Sequence, residues 1–261
     1  MDLQLEGKIA LVTGGTAGIG LAIAAELAVE GASVYVTGRT HEKLDAAIAS
    51  VPKSARVKGI VADAGTQAGA AQVTCELPDV DILVNNLGIY EAKPFEQIAD
   101  EDWMRFFEVN VMSGVRLART YLPGMRRREW GRIIFISSES AFAIPQEMVH
   151  YAMTKAAQVA IVRGIAETTK GTRVTANVVL PGPTRSEGIA DFLRSMSSNP
   201  NASPEEAERE FFQKHRAASL LQRLIDPAEI AHMVAYLASP LSSATTGSAV
   251  RVEGGLLRQI G

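Results

Sequence analysis

The sequence predicts an α/β fold with a doubly wound parallel sheet of about seven strands and helices on both faces. Short apolar runs of strand length alternate with helical stretches along the chain. Continuous apolar runs are typical of strands that are buried on both faces. The alternation implies right-handed crossovers between parallel strands. The 261 residues, of which 47% are hydrophobic and 21% charged, are sufficient for a large core.

The predicted elements follow one another without a repeat or a long linker. The predicted strands are residues 8–14, 32–38, 57–63, 81–86, 131–137, 173–180 and 248–254. The predicted helices are residues 20–31, 40–51, 100–125, 149–170 and 226–240. Asp226 and Pro227 are a cap residue and a first-turn residue that favour the start of the last helix.

One long irregular region interrupts this alternation between Pro181 and about Leu224. It contains two short amphipathic stretches, residues 187–196 and 204–221. We predict a single domain over residues 1–261, with a substrate loop or lid at about 184–224. Packing over a pocket and ordinary packing on the core are both open for its apolar residues, which are Ile189, Phe192, Leu193, Phe211, Phe212 and Leu220.

Charge and composition exclude several classes of protein. A net charge of −3 gives no reason to expect a nucleic-acid or membrane surface. The single cysteine, Cys75, excludes an internal disulfide framework and is expected to be a small packing residue. No stretch offers about 18 apolar residues in a row, so we expect a soluble, cytoplasmic protein. His41, His215 and His232 are scattered, and no catalytic metal is expected.

A glycine-rich turn follows the first predicted strand, in the stretch LVTGGTAGIGLAIAAELA. Its glycines at 14, 15, 18 and 20 allow a tight turn and a close approach of backbone N–H groups to a pyrophosphate at a helix N-terminus. The strand, turn and helix context predicts a nucleotide-binding site.

Several further motifs occur in order along the chain. DILVNNLG ends the fourth predicted strand, Ser138 precedes Tyr151 by 13 residues, Lys155 follows Tyr151 by four, and LPGPT occupies 180–184. With the T-G-x-x-x-G-x-G turn at 13–20, these motifs resemble the short-chain dehydrogenase/reductase family, and in particular its 3-oxoacyl-carrier-protein reductases. The resemblance extends from Leu5 to Gly255 and implies a single-domain Rossmann fold. Leu87 replaces the alanine that is usual in the family's N-N-A-G element.

The resemblance implies an NADP- or NAD-dependent enzyme with a catalytic set and a cofactor groove. The implied catalytic residues are Asn110, Ser138, Tyr151 and Lys155. The implied cofactor-binding residues are Gly14, Thr16, Gly18, Ile19, Gly20, Arg39, Asp63, Ala64, Asn86, Gly88, Tyr151, Lys155, Pro181, Gly182 and Thr184. For Asp63, which resembles the residue that contacts the adenine amino group, a helix cap or turn residue is the competing interpretation.

Arg39 indicates which nicotinamide cofactor is preferred. NAD-binding folds usually offer a carboxylate at the end of the second strand, where this chain has Gly38 and Arg39. Arginine can bind a 2′-phosphate through charge-assisted hydrogen bonds, and Thr40 can add a hydroxyl contact. We therefore expect a preference for NADP, with NAD as the alternative if Arg39 is an exposed residue that only stacks.

Tyr151 is the candidate proton donor for reduction of a carbonyl. An unperturbed phenol has a pKa of about 10. Residues four apart share a helix face, so the Lys155 ammonium can favour the phenolate. Ser138 can donate a hydrogen bond to the substrate oxygen. The family resemblance adds that Lys155 hydrogen-bonds the nicotinamide ribose and that Asn110 holds a water of a proton relay. A buried polar residue that satisfies helix backbone is the other interpretation of Asn110.

We expect a hydride transfer between NADP(H) and a moderately apolar carbonyl or alcohol substrate. Glu139, Gln146 and Glu147 are candidate polar contacts of the pocket, and His150 is expected in its wall or at an interface. Apolar helix faces and the family's habit favour a homotetramer. Three alternatives stay open: an NAD-dependent alcohol or sugar dehydrogenase of the same family, an inactive nucleotide-binding sensor, and a methyltransferase.

Overall fold

Seven parallel strands form one sheet in the computed structural model, which describes residues 1–52, 55–186 and 188–260. The strands are β1 (Ile9–Val12), β2 (Ser33–Gly38), β3 (Arg56–Val61), β4 (Ile82–Asn85), β5 (Gly131–Ile136), β6 (Val174–Pro181) and β7 (Ala249–Val252). Their order in the sheet is β3-β2-β1-β4-β5-β6-β7. The α/β fold class and all the predicted strands are confirmed, with ends that differ from the prediction by up to two residues.

Helices cover both faces of this sheet. They are α1 (Gly18–Val29), α2 (His41–Ser50), α3 (Gln67–Glu76), α4 (Asp100–Phe107), α5 (Ser113–Arg127), α6 (Val149–Thr168), α7 (Ile189–Met196), α8 (Pro204–Lys214) and α9 (Pro227–Ala238). Helix α9 begins with a capping box in which Asp226 and Glu229 each bond the other's backbone. The start of the last predicted helix is therefore confirmed.

The helices of the structure differ from the sequence analysis in three places. Helix α3 was not predicted, because its small and polar residues give little apolar periodicity. The predicted helix 100–125 is divided by one π-helical turn at Glu108–Met112. The predicted stretch 204–221 is helical only to Lys214, and the chain then turns at His215.

Two apolar layers hold the helices on the sheet. On one face, Ile23 and Leu27 of α1 pack with Ile230 and Val234 of α9. On the other face, side chains of α3, α5 and α6 pack against inward residues such as Phe135. Strands β5 and β6 are buried along their whole length, as expected for central strands covered on both faces.

The insertion, which is the irregular region at about 184–224, contains a small apolar cluster of its own. Leu193, Phe211, Phe212 and Leu224 are buried together between α7 and α8. A backbone bridge between Thr184 and Ile225 closes the base of the segment. Leu220 is 82% exposed, so both interpretations offered for it are wrong.

Two other expectations meet a direct test in the fold. Cys75 is exposed near the end of α3, so the expectation that it is a packing residue is wrong. Among the described residues, no helix combines the length and the apolar character that are needed to span a membrane.

The strand order fixes the place of the site. The chain builds β1, β2 and β3 outward and then returns to place β4 beside β1 on its other side. In open α/β sheets, ligands bind at such a switch point, beyond the carboxyl ends of the strands. The glycine turn follows β1, and Asn86 to Gly88 follow β4, so both lie at this edge.

Candidate active site

The glycine turn between β1 and α1 is tightly constrained. Gly14 and Gly18 have φ angles of +64° and +53°, a region that favours glycine. A Cβ at Gly20 would collide with the Asn86 side chain and the Gly14 carbonyl. Asn86 Nδ2 donates to the carbonyls of Thr13 (3.0 Å) and Gly14 (3.1 Å) and so braces the turn from β4.

The N-terminus of α1 fits an anionic group. Its N-cap residue is Ala17, which offers no side-chain bond, whereas Thr40 and Asp226 cap α2 and α9. The first amides of a helix have no partner within the helix, and an uncapped N-terminus favours a phosphate. The unpaired backbone amides at the start of α1, together with the glycines of the turn before it, therefore fit the pyrophosphate of a dinucleotide.

The ends of β2 and β3 carry the predicted adenosine contacts. Arg39 is exposed immediately after β2, and Thr16 lies against Gly38, where a Cβ would be 2.7 Å from Thr16 Cγ2. Thr40 accepts from Lys43 N at 3.4 Å, so its hydroxyl serves as a helix cap.

Asp63 and Ala64 follow β3 at the same edge of the sheet. Asp63 is exposed, and its Oδ1 accepts a hydrogen bond from Gly65 N at 3.1 Å. Asp63 is therefore a turn residue, which is one of the two interpretations offered for it. Because the carboxylate is exposed, it can also contact an adenine amino group. Ala64 is buried beside it.

Tyr151 and Lys155 share one face at the start of α6. Lys155 Nζ lies 5.5 Å from the centroid of the Tyr151 ring. It donates to the Ile136 carbonyl at 2.9 Å and to Gln158 Oε1 at 3.4 Å. These bonds hold the ammonium between the end of β5 and the first turns of α6.

Burial shifts the pKa values of the two groups in opposite directions. Burial lowers the pKa of Lys155 to about 8, with Glu139 acting against the shift, so the side chain is mostly protonated at pH 7. Burial, reinforced by the charge of Glu139, raises the pKa of Tyr151 above its ordinary value of 10. The Ser138 hydroxyl and the charge of Arg216 act in the opposite direction. The phenol is therefore protonated at neutral pH.

Asn110 lies in the π-helical turn between α4 and α5. Its side chain accepts from Ile89 N (2.8 Å) and donates to Ile89 O and Thr154 Oγ1 (both 3.0 Å). The backbone carbonyl of Asn110 accepts a hydrogen bond from Gln158 Nε2 at 2.6 Å. A Cβ at Gly88 would lie 3.5 Å from both Asn110 Oδ1 and Lys155 Nζ, so the three residues are neighbours. Isolated π turns occur often at functional sites.

Ser138 lies two residues after the end of β5 and lines the same cavity as Tyr151. Its Oγ donates to Glu139 Oε2 and accepts from Ser140 N at 3.1 Å. Glu139 Oε1 accepts from Arg216 Nε at 3.3 Å. Ser137, the neighbour considered for the same role, donates instead to the Lys155 carbonyl at 2.8 Å.

A cavity of about 180 Å³ brings these groups together. Its polar lining includes Ser138, Glu139, Tyr151 and Arg216. The other predicted site residues in its wall are Ile19, Pro181, Gly182 and Thr184. Apolar side chains from the insertion and from the loop after β4 complete it, and these are Tyr90, Ile189, Phe192 and Phe211. The cavity accommodates a small molecule beside the Tyr151 hydroxyl.

The insertion contributes to this cavity in part. Ile189, Phe192 and Phe211 line it, whereas Leu193 and Phe212 form the cluster behind it. Both interpretations of the insertion therefore apply, to different side chains.

Sequence reasoning missed Arg216 and placed His150 only approximately. Arg216 reaches the site from the chain after α8, and no spacing in the sequence indicates that contact. His150 is fully buried, with its ring 4.2 Å from that of Phe106 and 6.1 Å from that of Trp103. It therefore packs α6 against α4 and does not belong to the cavity lining.

Three comparisons with known proteins identify relatives of this chain. A family model described as short chain dehydrogenase matches residues 8–196. The uncharacterized oxidoreductase YvaG of Bacillus subtilis is 48% identical, over 100% of both chains. The 3-oxoacyl-carrier-protein reductase FabG of Escherichia coli is 33% identical, over 97% of this chain and 99% of its own. The crystal structure of L-sorbose reductase from Gluconobacter frateurii, complexed with NADPH and L-sorbose, is 30% identical with a TM-score of 0.92 over 100% of both chains.

Proposed function

The chain belongs to the short-chain dehydrogenase family and is an NAD(P)-dependent oxidoreductase of small molecules, and we propose that Tyr151 is its general acid and base in hydride transfer between NADP(H) and a carbonyl or alcohol. The observation that carries the proposal is the convergence of Ser138 and Tyr151 on one cavity, with the Lys155 ammonium beside the Tyr151 ring. Neither an inactive nucleotide-binding sensor nor a methyltransferase requires the combination of Ser138, Tyr151 and Lys155.

The proton chemistry follows from the pKa shifts. When bound, a nicotinamide would supply the hydride to the carbonyl carbon in reduction and would take it from the alcohol carbon in oxidation. In reduction, the protonated Tyr151 phenol donates its proton to the carbonyl oxygen, and Ser138 donates a hydrogen bond to that oxygen. In oxidation, the phenolate removes the proton of the alcohol. The Lys155 ammonium stabilises the phenolate left by reduction, which offsets the effect of burial.

Asn110 and Lys155 have supporting roles in this proposal. Asn110 fixes the Ile89 loop and Thr154 through three hydrogen bonds, beside Lys155 and Gly88. We infer that this arrangement holds the proton relay that returns a proton to Tyr151 through Lys155. Lys155 would also hold the nicotinamide ribose through a hydrogen bond when the cofactor is bound.

The preference for NADP is part of the same proposal. Arg39 is exposed at the end of β2, at the rim of the glycine turn, where its guanidinium is free to reach a 2′-phosphate. The L-sorbose reductase, which matches along the whole chain, was solved with NADPH. The bare N-terminus of α1, with Gly14, Gly18, Ile19 and Gly20, would hold the pyrophosphate.

Organisation and assembly complete the proposal. We infer one domain over residues 1–261, with a lid at about 184–224, acting in the cytoplasm. Exposed apolar side chains on α4, Met104 and Phe107, support a homotetramer in which this face is covered.

A substrate screen tests the proposed function. The purified chain is assayed with a panel of ketones and alcohols and with NADPH, NADP, NADH and NAD. We expect oxidation or reduction of the nicotinamide with at least one panel member. Cofactor binding, seen by nicotinamide fluorescence, without turnover of any panel member would instead favour the sensor.

A further inference from the structure

Glu139 places a buried carboxylate directly beside the Ser138 hydroxyl. The residue is 4% exposed and lines the cavity that contains Ser138 and Tyr151. Buried carboxylates are costly unless they are paired and hydrogen-bonded. The contacts of this carboxylate therefore determine what the cavity accepts.

The carboxylate has two partners among the described residues. Ser138 Oγ donates to Oε2, and Arg216 Nε donates to Oε1 at 3.3 Å. The Arg216 side chain is 11% exposed, and its Nη1 lies 3.9 Å from Oε1 of a second acid, Glu147. In the part of the chain that the structure describes, the Arg216 guanidinium is thus shared between two carboxylates, Glu139 in the cavity lining and Glu147 outside it, so it neutralises Glu139 only in part.

The bond to Glu139 uses the single proton of Ser138. A hydroxyl donates one hydrogen bond, and one lone pair of Ser138 Oγ already accepts from Ser140 N at 3.1 Å. While Ser138 donates to Glu139, it has no proton for the carbonyl oxygen of a substrate. Catalysis requires that proton to turn toward the substrate, which leaves Glu139 Oε2 without its donor. A buried carboxylate that loses a donor destabilises the complex unless the substrate supplies another.

We propose that Glu139 is a specificity-determining residue that accepts a hydrogen bond from a hydroxyl on the carbon next to the substrate carbonyl. The proposal rests on the proposed function, and it specifies neutral α-hydroxy ketones and the corresponding vicinal diols as the substrate class. Oxygens on adjacent carbons lie within hydrogen-bond reach of two neighbouring groups, and Ser138 Oγ and Glu139 Oε2 are such neighbours. The substrate hydroxyl replaces Ser138 as donor and releases the serine proton for the carbonyl oxygen.

The charge of the same wall discriminates against keto acids. A carboxylate in place of the hydroxymethyl group puts a negative charge directly beside the Glu139 carboxylate, whose partner Arg216 is already shared with Glu147. It also offers no donor to Glu139. A ketone without an α-hydroxyl adds no charge, but it offers no hydrogen-bond donor to Glu139 when Ser138 turns toward the substrate. It is a poor substrate because of that missing hydrogen bond.

Three four-carbon ketones of similar size test the proposal. They are 1-hydroxy-2-butanone, 2-butanone and 2-oxobutanoate, each assayed for kcat and KM with the full chain and its preferred nicotinamide. Sites that hydrogen-bond a substrate hydroxyl reject analogues that lack it strongly. We expect kcat/KM for the hydroxy ketone to exceed that for 2-butanone by at least about 100-fold, and 2-oxobutanoate to be the poorest.

Glu139→Gln separates specificity from structure. The neutral amide can place its oxygen toward Arg216 and its NH₂ toward Ser138, so it donates to the serine and leaves the serine proton free. We expect the ratio of kcat/KM for hydroxy ketone over 2-butanone to fall by at least about 10-fold, largely because 2-butanone improves. The matched control is Glu147→Gln, which removes the same charge near Arg216 from a residue outside the cavity lining, and it should leave the ratio unchanged.

Binding of the product gives a readout that is independent of turnover. Calorimetric titration with 1,2-butanediol should show weaker binding in Glu139→Gln than in the unaltered chain and in Glu147→Gln. Equal efficiencies for 2-butanone and the hydroxy ketone, or a preference for 2-oxobutanoate, would overturn the inference and leave the proposed function standing. Absence of turnover of every ketone, here and in the wider screen, would overturn both.

Discussion

Burial sets the protonation of both Tyr151 and Lys155 at the scale of single residues. Burial raises the pKa of the phenol and lowers that of the ammonium to about 8, because burial disfavours whichever form is charged. Neither shift could be obtained from the sequence, which places the two residues on one helix face but does not say how deeply that face is buried. The spacing predicted the pair, and the depth of the site sets its protonation.

The proposed preference for NADP depends on Arg39 at the same scale. We predict that Arg39→Ala lowers kcat/KM with NADPH by at least about 10-fold, because hydrogen bonds to charged groups contribute about 1.5–3 kcal/mol. The value with NADH serves as the internal control and should change little, since NADH carries no 2′-phosphate. Steady-state assays with both cofactors measure the two values. An unchanged ratio between the two cofactors would remove Arg39 from the cofactor site.

The glycine turn acts as one element with the start of α1 and with Asn86. Asn86 donates to two carbonyls of the turn, and the space it occupies is the space that a Cβ at Gly20 would need. The sequence predicted that glycines are required here for access to a phosphate. It could not predict that a side chain from β4 imposes the same requirement from the other side.

Gly20→Ala tests this element. Because the added Cβ collides with Asn86 and with the Gly14 carbonyl, we expect the free energy of unfolding to fall by about 1–3 kcal/mol. The displaced turn should also bind the nicotinamide cofactor more weakly in a fluorescence titration. Gly164→Ala is the matched control, because a Cβ at Gly164 within α6 meets nothing within 4 Å. That variant should bind cofactor normally and gain about 0.5–1 kcal/mol in denaturant unfolding. Equal behaviour of the two variants would contradict the account of the turn.

The elements that the sequence predicted best have strong local signals. β5 contains the apolar run IIFI at 133–136, β6 contains VVL at 178–180, and α9 begins with Asp226 and Pro227. The π turn at Glu108–Met112 has no such signal, because it continues an amphipathic helix and differs only in its hydrogen-bond pattern. Arg216 was missed for a related reason, since its contact with Glu139 spans 77 residues and depends on the fold of the insertion.

At the scale of the whole molecule, the topological switch between β1 and β4 brings the parts of the site together. Residues from the glycine turn, the end of β5, the start of α6 and the insertion meet at one edge of the sheet. The alternation of strands and helices predicted the parallel sheet to which this edge belongs. The cavity wall that the insertion contributes could not be predicted in the same way, because no hydrophobic periodicity specifies the path of the insertion.

Assembly is the second question at this scale. Met104 and Phe107 expose apolar surface on α4, and such surface commonly marks an interface between protein chains. We predict a homotetramer, measured as four times the chain mass by light scattering coupled to size exclusion. A monomer as the sole species at micromolar concentration would contradict this prediction.

The central claim is that Tyr151 transfers the proton, and Tyr151→Phe tests it most directly. The substitution removes one hydroxyl and retains the ring beside Lys155. Using a substrate identified in the screen, we predict that kcat falls by at least about 100-fold, as is typical for loss of a general acid. Nicotinamide fluorescence should show that the variant still binds its cofactor. Full turnover by Tyr151→Phe would contradict the account.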